Sequence, residues 1–484
     1  MPSLISRWAK RVTNPDALLI YGMGAMIDAA SVRYALTNKP SRYTPGEPLK
    51  LLLAGYAGTR NTGGDVRVEE MIRQFRHILG DRNVELSIFT INPELTAGYF
   101  RTVRQIPIPT IFPKFLADEC PKHHGVVACE GSMFKSKFSN ALATMMTGAL
   151  GLAGAEGKLS IGYGGEAGQM DDLLEDFVRS HCRHSLIICR NENSRSILDG
   201  LGVRTEPGTD TAWTFRCASK DRAEQLLTRA GWDGKKPVVA IAPINPFWWP
   251  AKPDLVKTAA MRLTGQYRED HYKSVVFHSW SEESARSYDA YISALAEALT
   301  AYLSHHDTFP ILVGSEQLDR GACEDLAARL SFDVPLFVSD DHDMYDLVAV
   351  LRRCSMVASS RYHAIVNSMP AGVPSIGITM DERIHNLFHD RSHQDFLLRV
   401  DDEDLGPRLL TAMNRATQEA ERLQREIITY LPSQLEAMAK MGMAFEDELL
   451  RVYPEFPASH RPRTVENFLP SLSPELSSLL EAST

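Results

Sequence analysis

From residue 49 onwards, short apolar segments alternate regularly with segments of helix length. Residues 51–54 form the first apolar run, and apolar residues then recur at helical spacing from Val68 to Ile78. A second apolar run follows at residues 84–89. Strands that alternate with helices in this way pair in parallel, and the helices cover both faces of the sheet. The pattern therefore predicts an α/β fold.

The alternation occurs in two sets, which predicts two domains. The remaining strands predicted for the first set are residues 126–128, 159–161 and 186–188. After a polar, glycine-containing linker, the strands predicted for the second set are residues 238–242, 274–277, 310–313, 336–337, 356–358 and 375–377. Two doubly wound, Rossmann-like domains in one chain face each other across a cleft at the carboxyl ends of their strands. We expect ligands to bind in that cleft.

The two ends of the chain lie outside this alternation. The predicted segments are an N-terminal arm at residues 1–48, domains at 49–230 and 231–400, and a helical extension with a loose tail at 401–484. The arm begins with Arg7, Lys10 and Arg11, so it could contact the anionic inner face of a membrane. The alternative is that the arm packs against its own protein.

Composition narrows the class of protein. The 484-residue chain has a formal net charge of −9, which does not favour nucleic acid as a partner. No apolar run approaches the roughly 20 residues that cross a bilayer. The seven cysteines are scattered without a CxxC pair, which is typical of buried thiols in a reducing compartment. We expect a cytoplasmic protein without a metal site.

A glycine-rich loop, residues 55–65, lies between the first predicted strand and the helix that follows. It contains Gly58, Asn61, Gly64 and Asp65. Glycines let a backbone approach a ligand closely, and the free N–H groups of a helix start attract an anion. The loop matches neither a Walker motif nor GxGxxG. Its structural alternative is a turn in which Asp65 caps the helix.

Charged residues follow the carboxyl ends of the next predicted strands. Glu130 and Glu166 each come shortly after a strand, where side chains point into the crevice of such folds. Two carboxylates in one crevice could serve as acid and base, although each also suits a helix cap. Arg190 holds the same position after a further strand and could clamp a phosphate or carboxylate, or form a salt bridge.

Arg361 and His363 form the most informative pair of residues. They follow the predicted strand 356–358 and fall at the start of a helix, where an arginine binds anions and a histidine exchanges protons near neutral pH. His278 follows strand 274–277 and could face the same cleft. The acidic residues at 340–343 precede a helix, which favours capping over metal binding.

These segments, in this order, resemble the polysaccharide pyruvyl transferase family. That family has a glycine- and asparagine-containing loop after its first strand, a glycine–serine turn, an arginine at a helix start and a late Arg-x-His-Ala motif. The resembling segments are residues 55–65, Gly131-Ser132, Arg190 with Glu192 and Ser194, Arg361-Tyr362-His363-Ala364, residues 371–374 and Asp381-Glu382-Arg383. The resemblance covers about residues 50–400.

The resemblance implies a glycosyltransferase-B-like fold and transfer of a pyruvyl group from phosphoenolpyruvate to saccharide hydroxyls, which gives a ketal and phosphate. It implies no cofactor, because phosphoenolpyruvate is a co-substrate. The donor carries a carboxylate and a phosphate, and Arg361 and Arg190 are the cations expected to bind them. His363 is the expected general acid, with Glu130, Glu166 or His278 as candidate bases.

Further substrate-binding residues follow from the matching segments. They are Gly58, Asn61, Gly64, Asp65, Ser132 and Arg383. The expected partner is a saccharide acceptor, free or lipid-linked, and the protein could form homo-oligomers.

The sequence also departs from the family pattern. Cys129-Glu130 replaces two glycines of the family turn, Tyr362 replaces a leucine and Arg383 stands in place of a lysine. Two alternatives therefore remain open: a nucleotide-sugar-dependent glycosyltransferase with the same fold, and a non-catalytic saccharide-binding homologue.

Overall fold

The computed structural model describes residues 15–37, 43–268, 271–273, 275–458 and 461–482. Arg7, Lys10 and Arg11, on which the membrane prediction rests, lie outside the described residues, as does Ser274.

The first domain is built on a sheet of seven parallel strands. In chain order they are β1 (Leu49–Ala57), β2 (Val84–Thr90), β3 (Arg104–Pro107), β4 (Gly125–Ala128), β5 (Leu159–Gly165), β6 (Leu186–Cys189) and β7 (Arg204–Pro207). Their order across the sheet is β3-β2-β1-β4-β5-β6-β7. Leu51 of β1 pairs with Leu86 of β2 on one side and with Gly125 of β4 on the other. The chain reverses its winding between β1 and β4, and ligands bind at such a point in doubly wound sheets.

The helices of this domain are α1 (Pro15–Thr37), α2 (Thr62–Leu79), α3 (Pro113–Glu119), α4 (Asn140–Ala155), α5 (Asp172–His181) and α6 (Glu192–Gly200). They cover both faces of the sheet. Leu51 and Leu53 are buried in one apolar cluster, whereas the alternate residues Leu52 and Ala54 are buried in another. The continuous apolar run of β1 is therefore explained by burial on both sides.

The second domain follows the same plan. Its strands are β8 (Val238–Ala242), β9 (Lys252–Pro253), β10 (His271–Lys273), β11 (Val276–Phe277), β12 (Phe309–Gly314), β13 (Leu336–Val338), β14 (Met356–Ser359), β15 (Ser375–Thr379) and β16 (Leu397–Arg399). Six of them form a parallel sheet in the order β13-β12-β8-β14-β15-β16. The predicted class, two doubly wound domains with a helical C-terminal region, is confirmed.

The helices of the rest of the chain complete the fold. They are α7 (Lys220–Arg229), α8 (Leu255–Thr264), α9 (Glu282–Leu303), α10 (Asp319–Ala327), α11 (Met344–Arg353), α12 (Tyr362–Ser368), α13 (Glu382–Asp390), α14 (Leu405–Gln418), α15 (Ala420–Val452), α16 (Val465–Phe468) and α17 (Pro474–Glu481). Asp343 caps α11 by accepting a hydrogen bond from the Asp346 amide, as its position before the helix predicts.

The strand predicted at residues 274–277 differs from the structure. Val276 and Phe277 form β11, which pairs antiparallel with β9 and β10 in a separate three-stranded sheet. This segment therefore does not belong to the parallel sheet of the second domain. The reason is local: the paired segments are only two or three residues long, and apolar content alone does not determine which sheet a short strand joins.

Both ends of the described chain pack against the rest of the protein. Met23 and Ile27 of helix α1 are buried against the helices of the first domain, which agrees with the alternative that this segment packs against its own protein. The tail predicted to be loose is docked as well: Phe468 is fully buried, and its carbonyl accepts a 2.9 Å hydrogen bond from Gln74 of α2. Leu227 of α7 lies in the core of the second domain, so that domain begins before residue 231.

Candidate active site in the interdomain cleft

A cavity of about 100 Å³ lies where the carboxyl ends of the two parallel sheets face each other. Both domains contribute to its wall. From the first domain come Tyr56, Asn61, Gly64, Glu130, Ser132, Lys135 and Arg190, and from the second come Trp249, Glu316, Arg361, His363 and Arg383. The cleft predicted from the sequence is therefore present. It brings together eight of the predicted site residues: Asn61, Gly64, Glu130, Ser132, Arg190, Arg361, His363 and Arg383.

The glycine-rich loop forms one wall of this cavity. Asn61, not Asp65, caps helix α2, because its Oδ1 accepts a 3.3 Å hydrogen bond from the Gly64 amide. The Asn61 amide group donates a 3.4 Å hydrogen bond to Glu316 Oε2 of the second domain. The Thr62 amide donates a 2.8 Å bond to the Ser315 carbonyl. The loop therefore joins the two domains at the site.

Two glycines of the loop have distinct structural roles. A Cβ atom on Gly63 would collide with the ring of His363, so this glycine lets the histidine approach the helix start. Gly58 has a φ of +90°, a left-handed conformation that favours glycine in a turn. Gly58 and Asp65 are not among the cavity-lining residues, and Asp65 is buried in the first turn of α2. The prediction that these two residues contact substrate is therefore not supported by their positions.

Asp210 is the centre of a buried charge network behind the cavity. It follows β7 and is fully buried. Its Oδ2 atom lies 3.3 Å from Arg67 Nε, 3.0 Å from Arg190 Nη1 and 3.2 Å from His363 Nε2. Arg67 also donates hydrogen bonds to the carbonyls of Cys129 and Gly164, at 3.2 and 2.8 Å. The network fixes the positions of Arg190 and His363 at the cavity wall.

The net effect of burial and of neighbouring charges is to lower the pKa of both Asp210 and His363. Burial opposes ionisation of Asp210, but the charges of Arg67, His363 and Arg190 outweigh it and hold the Asp210 pKa well below its ordinary value. Burial lowers the pKa of His363 to about 4, against the attraction of Asp210. At neutral pH these shifts favour an ionised Asp210 beside a neutral imidazole.

Glu130 is the carboxylate of the first domain that lines the cavity. A Cβ atom on Gly64 would lie 2.9 Å from its Oε1 atom, so the glycine leaves room for this side chain. Burial raises the pKa of Glu130, and this effect exceeds the opposing attraction of Arg67. A carboxylate with a raised pKa is closer to the range in which a group can both accept and release a proton.

Glu166, in contrast, lies behind the wall. It is fully buried and is not a cavity-lining residue. One of its oxygens forms an ion pair with Arg190, and the other lies 3.9 Å from Lys135 Nζ. Its place in the structure is therefore that of a counterion which positions two cations.

Lys135 is a site residue that the sequence analysis missed. It lines the cavity with its side chain fully buried, and its Nζ lies 2.9 Å from Glu382 Oε1 of the second domain. Burial lowers the pKa of this ammonium group, although Asp381 and Glu382 act in the opposite direction. Lys135 lies in a loop without a strand–helix signature, so no local pattern marked it as a site residue.

Arg361 is anchored by two acidic residues of its own domain, both absent from the sequence analysis. Its Nε atom donates to the Asp319 carboxylate at 2.9 and 3.0 Å, and its Nη2 atom lies 3.2 Å from Glu316 Oε2. Asp319 is fully buried, and burial raises its pKa against the attraction of Arg361. The guanidinium side chain remains 13% exposed, towards the cavity that it lines.

Arg383 and Arg190 are held by contacts of the same kind. Arg383 Nε donates to the Asp381 carboxylate at 2.8 and 3.0 Å, and its guanidinium lies 4.6 Å from the centre of the Phe138 ring. The Arg190 guanidinium lies 4.2 Å from the centre of the Tyr362 ring. Tyr362, which departs from the family's leucine, therefore supports the arginine through a cation–π contact.

His278 is not brought into the cavity. It is buried and stacks on Trp248 with a ring-centre distance of 4.0 Å, and it meets Trp249 edge-on at 5.0 Å. Because its strand does not belong to the parallel sheet, the residue does not end at the cleft edge as the sequence predicts. Trp249, which contacts His278 edge-on, is itself a residue of the cavity wall.

Cations exceed carboxylates in the cavity wall. The cationic residues are Lys135, Arg190, Arg361 and Arg383, and the acidic residues are Glu130 and Glu316. Buried carboxylates hold each cation from behind, which fixes its geometry without filling the cavity. Four cationic side chains in one wall can bind a small anion, and each is held in place by its own carboxylate partners.

The fold and this cleft define a two-domain α/β protein of the glycosyltransferase-B class with a charged site between its domains. The chain belongs to the polysaccharide pyruvyl transferase family, because residues 76–382, more than half of its length, match the model of that family. The glycine-rich loop lies before the matched segment.

Several solved structures are similar to the chain at low sequence identity. Anabaena HepE, in a crystal structure with UDP-glucose, is 12% identical with a TM-score of 0.50 over 83% of this chain and 100% of that chain. S. aureus MnaA, in a structure with UDP, is 11% identical with a TM-score of 0.49 over 85% and 100%. E. coli ADP-heptose lipopolysaccharide heptosyltransferase II is 11% identical with a TM-score of 0.38 over 77% and 100%.

Two further comparisons are negative. No curated protein matches the chain. None of the helices in the described ranges is long and apolar enough to cross a membrane.

Proposed function

We propose that this chain transfers a pyruvyl group from phosphoenolpyruvate to two hydroxyls of a saccharide, forming a pyruvate ketal and releasing phosphate. The observation that carries the proposal is that His363 and four cationic side chains line one small cavity between the domains. Family membership supports the transfer of a pyruvyl group. The donor's carboxylate and phosphate match the excess of cations in the wall.

The reaction balances with the groups available. One saccharide hydroxyl oxygen bonds to the central carbon of phosphoenolpyruvate, while the methylene carbon of phosphoenolpyruvate takes up a proton. The second hydroxyl oxygen then bonds to the same carbon as the carbon–phosphate oxygen bond breaks. The two hydroxyl groups lose two protons. The methylene carbon gains one proton as it becomes a methyl group, and the released phosphate gains the other.

We assign the donor anion to Arg361 and Arg190, with Lys135 and Arg383 on adjoining parts of the wall. His363 is the group that supplies the proton to the methylene carbon. Burial lowers its pKa to about 4, and the two or three negative charges of a bound donor would raise that pKa towards neutrality.

Among the three candidate bases, Glu130 is the one that we propose. It lines the cavity, whereas Glu166 is buried behind it and His278 stacks between tryptophans. Its raised pKa suits removal of a proton from a hydroxyl group near neutral pH.

Phosphoenolpyruvate is expected to stabilise the protein against heat, whereas uridine and guanosine diphosphates are not. A ligand that binds only the folded state at about 100 times its Kd adds ~2.7 kcal/mol of stability. For a chain of this size that corresponds to a rise in Tm of roughly 3 °C. The shift is expected to vanish in Arg361→Ala and to persist in Arg286→Ala, whose side chain is 75% exposed.

Each shift is measured against the ligand-free Tm of the same variant, because Arg361→Ala also removes the partner of Asp319. Stabilisation by a nucleoside diphosphate alone would contradict the proposal and favour a nucleotide-sugar-dependent glycosyltransferase.

Gly63→Ala is expected to lower turnover by about 10²-fold, because the added Cβ displaces the His363 ring and misplacement of about 1 Å has an effect of that size. Gly22→Ala is the matched control, since a Cβ there meets nothing within 4 Å. Initial rates of phosphate release test both variants. Equal turnover in Gly63→Ala and wild type would show that the position of His363 does not matter.

A further inference from the structure

A second and larger cavity, of about 510 Å³, adjoins the reaction cavity. Tyr56, Ser139 and Leu142 line both. The two cavities therefore lie side by side and share part of their walls. The two cavities differ sharply in chemistry.

The larger cavity is apolar. Among the described residues that line it, none is charged, and the polar side chains are those of Tyr56, Thr110 and Ser139. The rest of the wall is aliphatic, proline, phenylalanine or methionine, as Ile91, Phe112 and Met145 illustrate. Such a wall offers no charged side chain to hold phosphate and few hydroxyl groups for a sugar, so its affinity is mainly for a hydrocarbon.

The outer part of this cavity reaches an exposed apolar surface. Leu18 and Ile111, both in its wall, are 55% and 73% exposed. Helix α1 carries five of the exposed large apolar side chains: Leu18, Tyr21, Met26, Val32 and Leu36. Leu18 and Ile111 are the members of this exposed apolar set that line the cavity. Exposed apolar side chains at the edge of an apolar cavity are typical of surfaces that meet lipid or another apolar ligand.

We propose that the larger cavity binds the hydrocarbon chain of a lipid-linked saccharide, whose sugar enters the reaction cavity through the shared residues. The proposal rests on the proposed function for the identity of the sugar as acceptor. A charged reaction cavity beside an uncharged cavity suits a ligand that is polar at one end and aliphatic at the other. A free polysaccharide has no part that this second cavity would bind.

Alkyl glucosides of increasing chain length test this proposal, each used below its micelle concentration and measured by titration calorimetry. Each methylene group buried strengthens binding roughly fourfold. We therefore expect Kd to fall by about 16-fold from hexyl to octyl glucoside, with one molecule bound per chain. Methyl glucoside is expected to bind much more weakly than either.

Single charges in the cavity wall provide the variants. Leu18→Glu and Ile111→Glu place a carboxylate at exposed positions of the wall, so the fold is unaffected, and each is expected to weaken octyl glucoside binding by about tenfold. Leu36→Glu is the matched control, because Leu36 is 81% exposed on the same helix as Leu18 and does not line the cavity.

Absence of a chain-length dependence, or equal weakening in Leu36→Glu, would overturn the assignment. Binding to phosphatidylglycerol vesicles without any binding of alkyl glucosides would also overturn it, because the exposed residues would then contact a bilayer surface. Phosphoenolpyruvate stabilisation measured on the same variants separates the two proposals. If the donor stabilises the protein and alkyl glucosides fail to bind, the lipid cavity alone is wrong.

Discussion

His363→Gln is expected to lower kcat by about 10²–10⁴-fold, the usual effect of removing a general acid. Glutamine retains a hydrogen-bonding group that can face Asp210, whose Oδ2 lies 3.2 Å from His363 Nε2. The variant therefore keeps the buried contact but loses the ability to donate a proton to the methylene carbon. Phosphate release from phosphoenolpyruvate, with acceptor present, measures the loss.

The control for this variant is His305→Gln, an exposed histidine distant in the chain from the site residues, which is expected to be fully active. Donor binding, measured by the phosphoenolpyruvate-dependent rise in Tm, should persist in His363→Gln. Unchanged turnover would exclude His363 as the proton donor. Loss of donor stabilisation together with turnover would instead make it a binding residue.

The pH dependence of stability gives a second readout of the same residue. His363 has a pKa of about 4 in the folded chain, below the ordinary value of 6.5 that it regains on unfolding. Between these values the unfolded chain binds more protons, so the free energy of unfolding falls as the pH drops from 6.5 to about 4. The fall should be smaller in His363→Gln. Comparison with wild type cancels the contributions of the other buried histidines.

The two-domain fold could be predicted from sequence because both parallel sheets are buried on both faces. Strands such as β1 and β8 are therefore continuous apolar runs, which are conspicuous in the sequence. The edge strands β3 and β7 escaped prediction, since Arg104–Pro107 and Arg204–Pro207 are partly exposed and have no such run. The edge strand β13, whose Phe337 and Val338 are buried, was predicted at residues 336–337. Burial of a strand's side chains, rather than its position in the sheet, thus decided whether the sequence revealed it.

The site was only partly predictable for a related reason. Residues directly after strand ends, such as Glu130, Arg190 and Arg361, could be assigned to the cleft from topology alone. Which of them reach the cavity depends on pairing across long sequence separations. Arg190, for example, pairs with Asp210. Arg67 lies on an ordinary helix and Lys135 in an irregular loop, so nothing local marks either as buried beside the site.

Asp210→Asn is expected to lower the free energy of unfolding by about 3–5 kcal/mol, the usual effect of removing one partner of a buried ion pair. Asparagine has nearly the same shape and can still accept the hydrogen bond from the Ala212 amide, 3.0 Å away. What it removes is the negative charge between Arg67 and Arg190, and both guanidinium groups then remain buried without it. Urea denaturation measures the difference.

The matched control for Asp210→Asn is Asp289→Asn, since Asp289 is 69% exposed and forms a surface ion pair with Arg329. Exposed pairs of this kind contribute ~0–1 kcal/mol. A fall of less than 1 kcal/mol in Asp210→Asn would mean that Glu166 alone balances Arg190, and the network would then have no centre at Asp210. A large fall would show that the Asp210 carboxylate, which orients His363, also offsets the buried charges of Arg67 and Arg190. On that outcome, the charges that prepare the cleft for an anionic donor and the charges that hold the first domain together belong to one network.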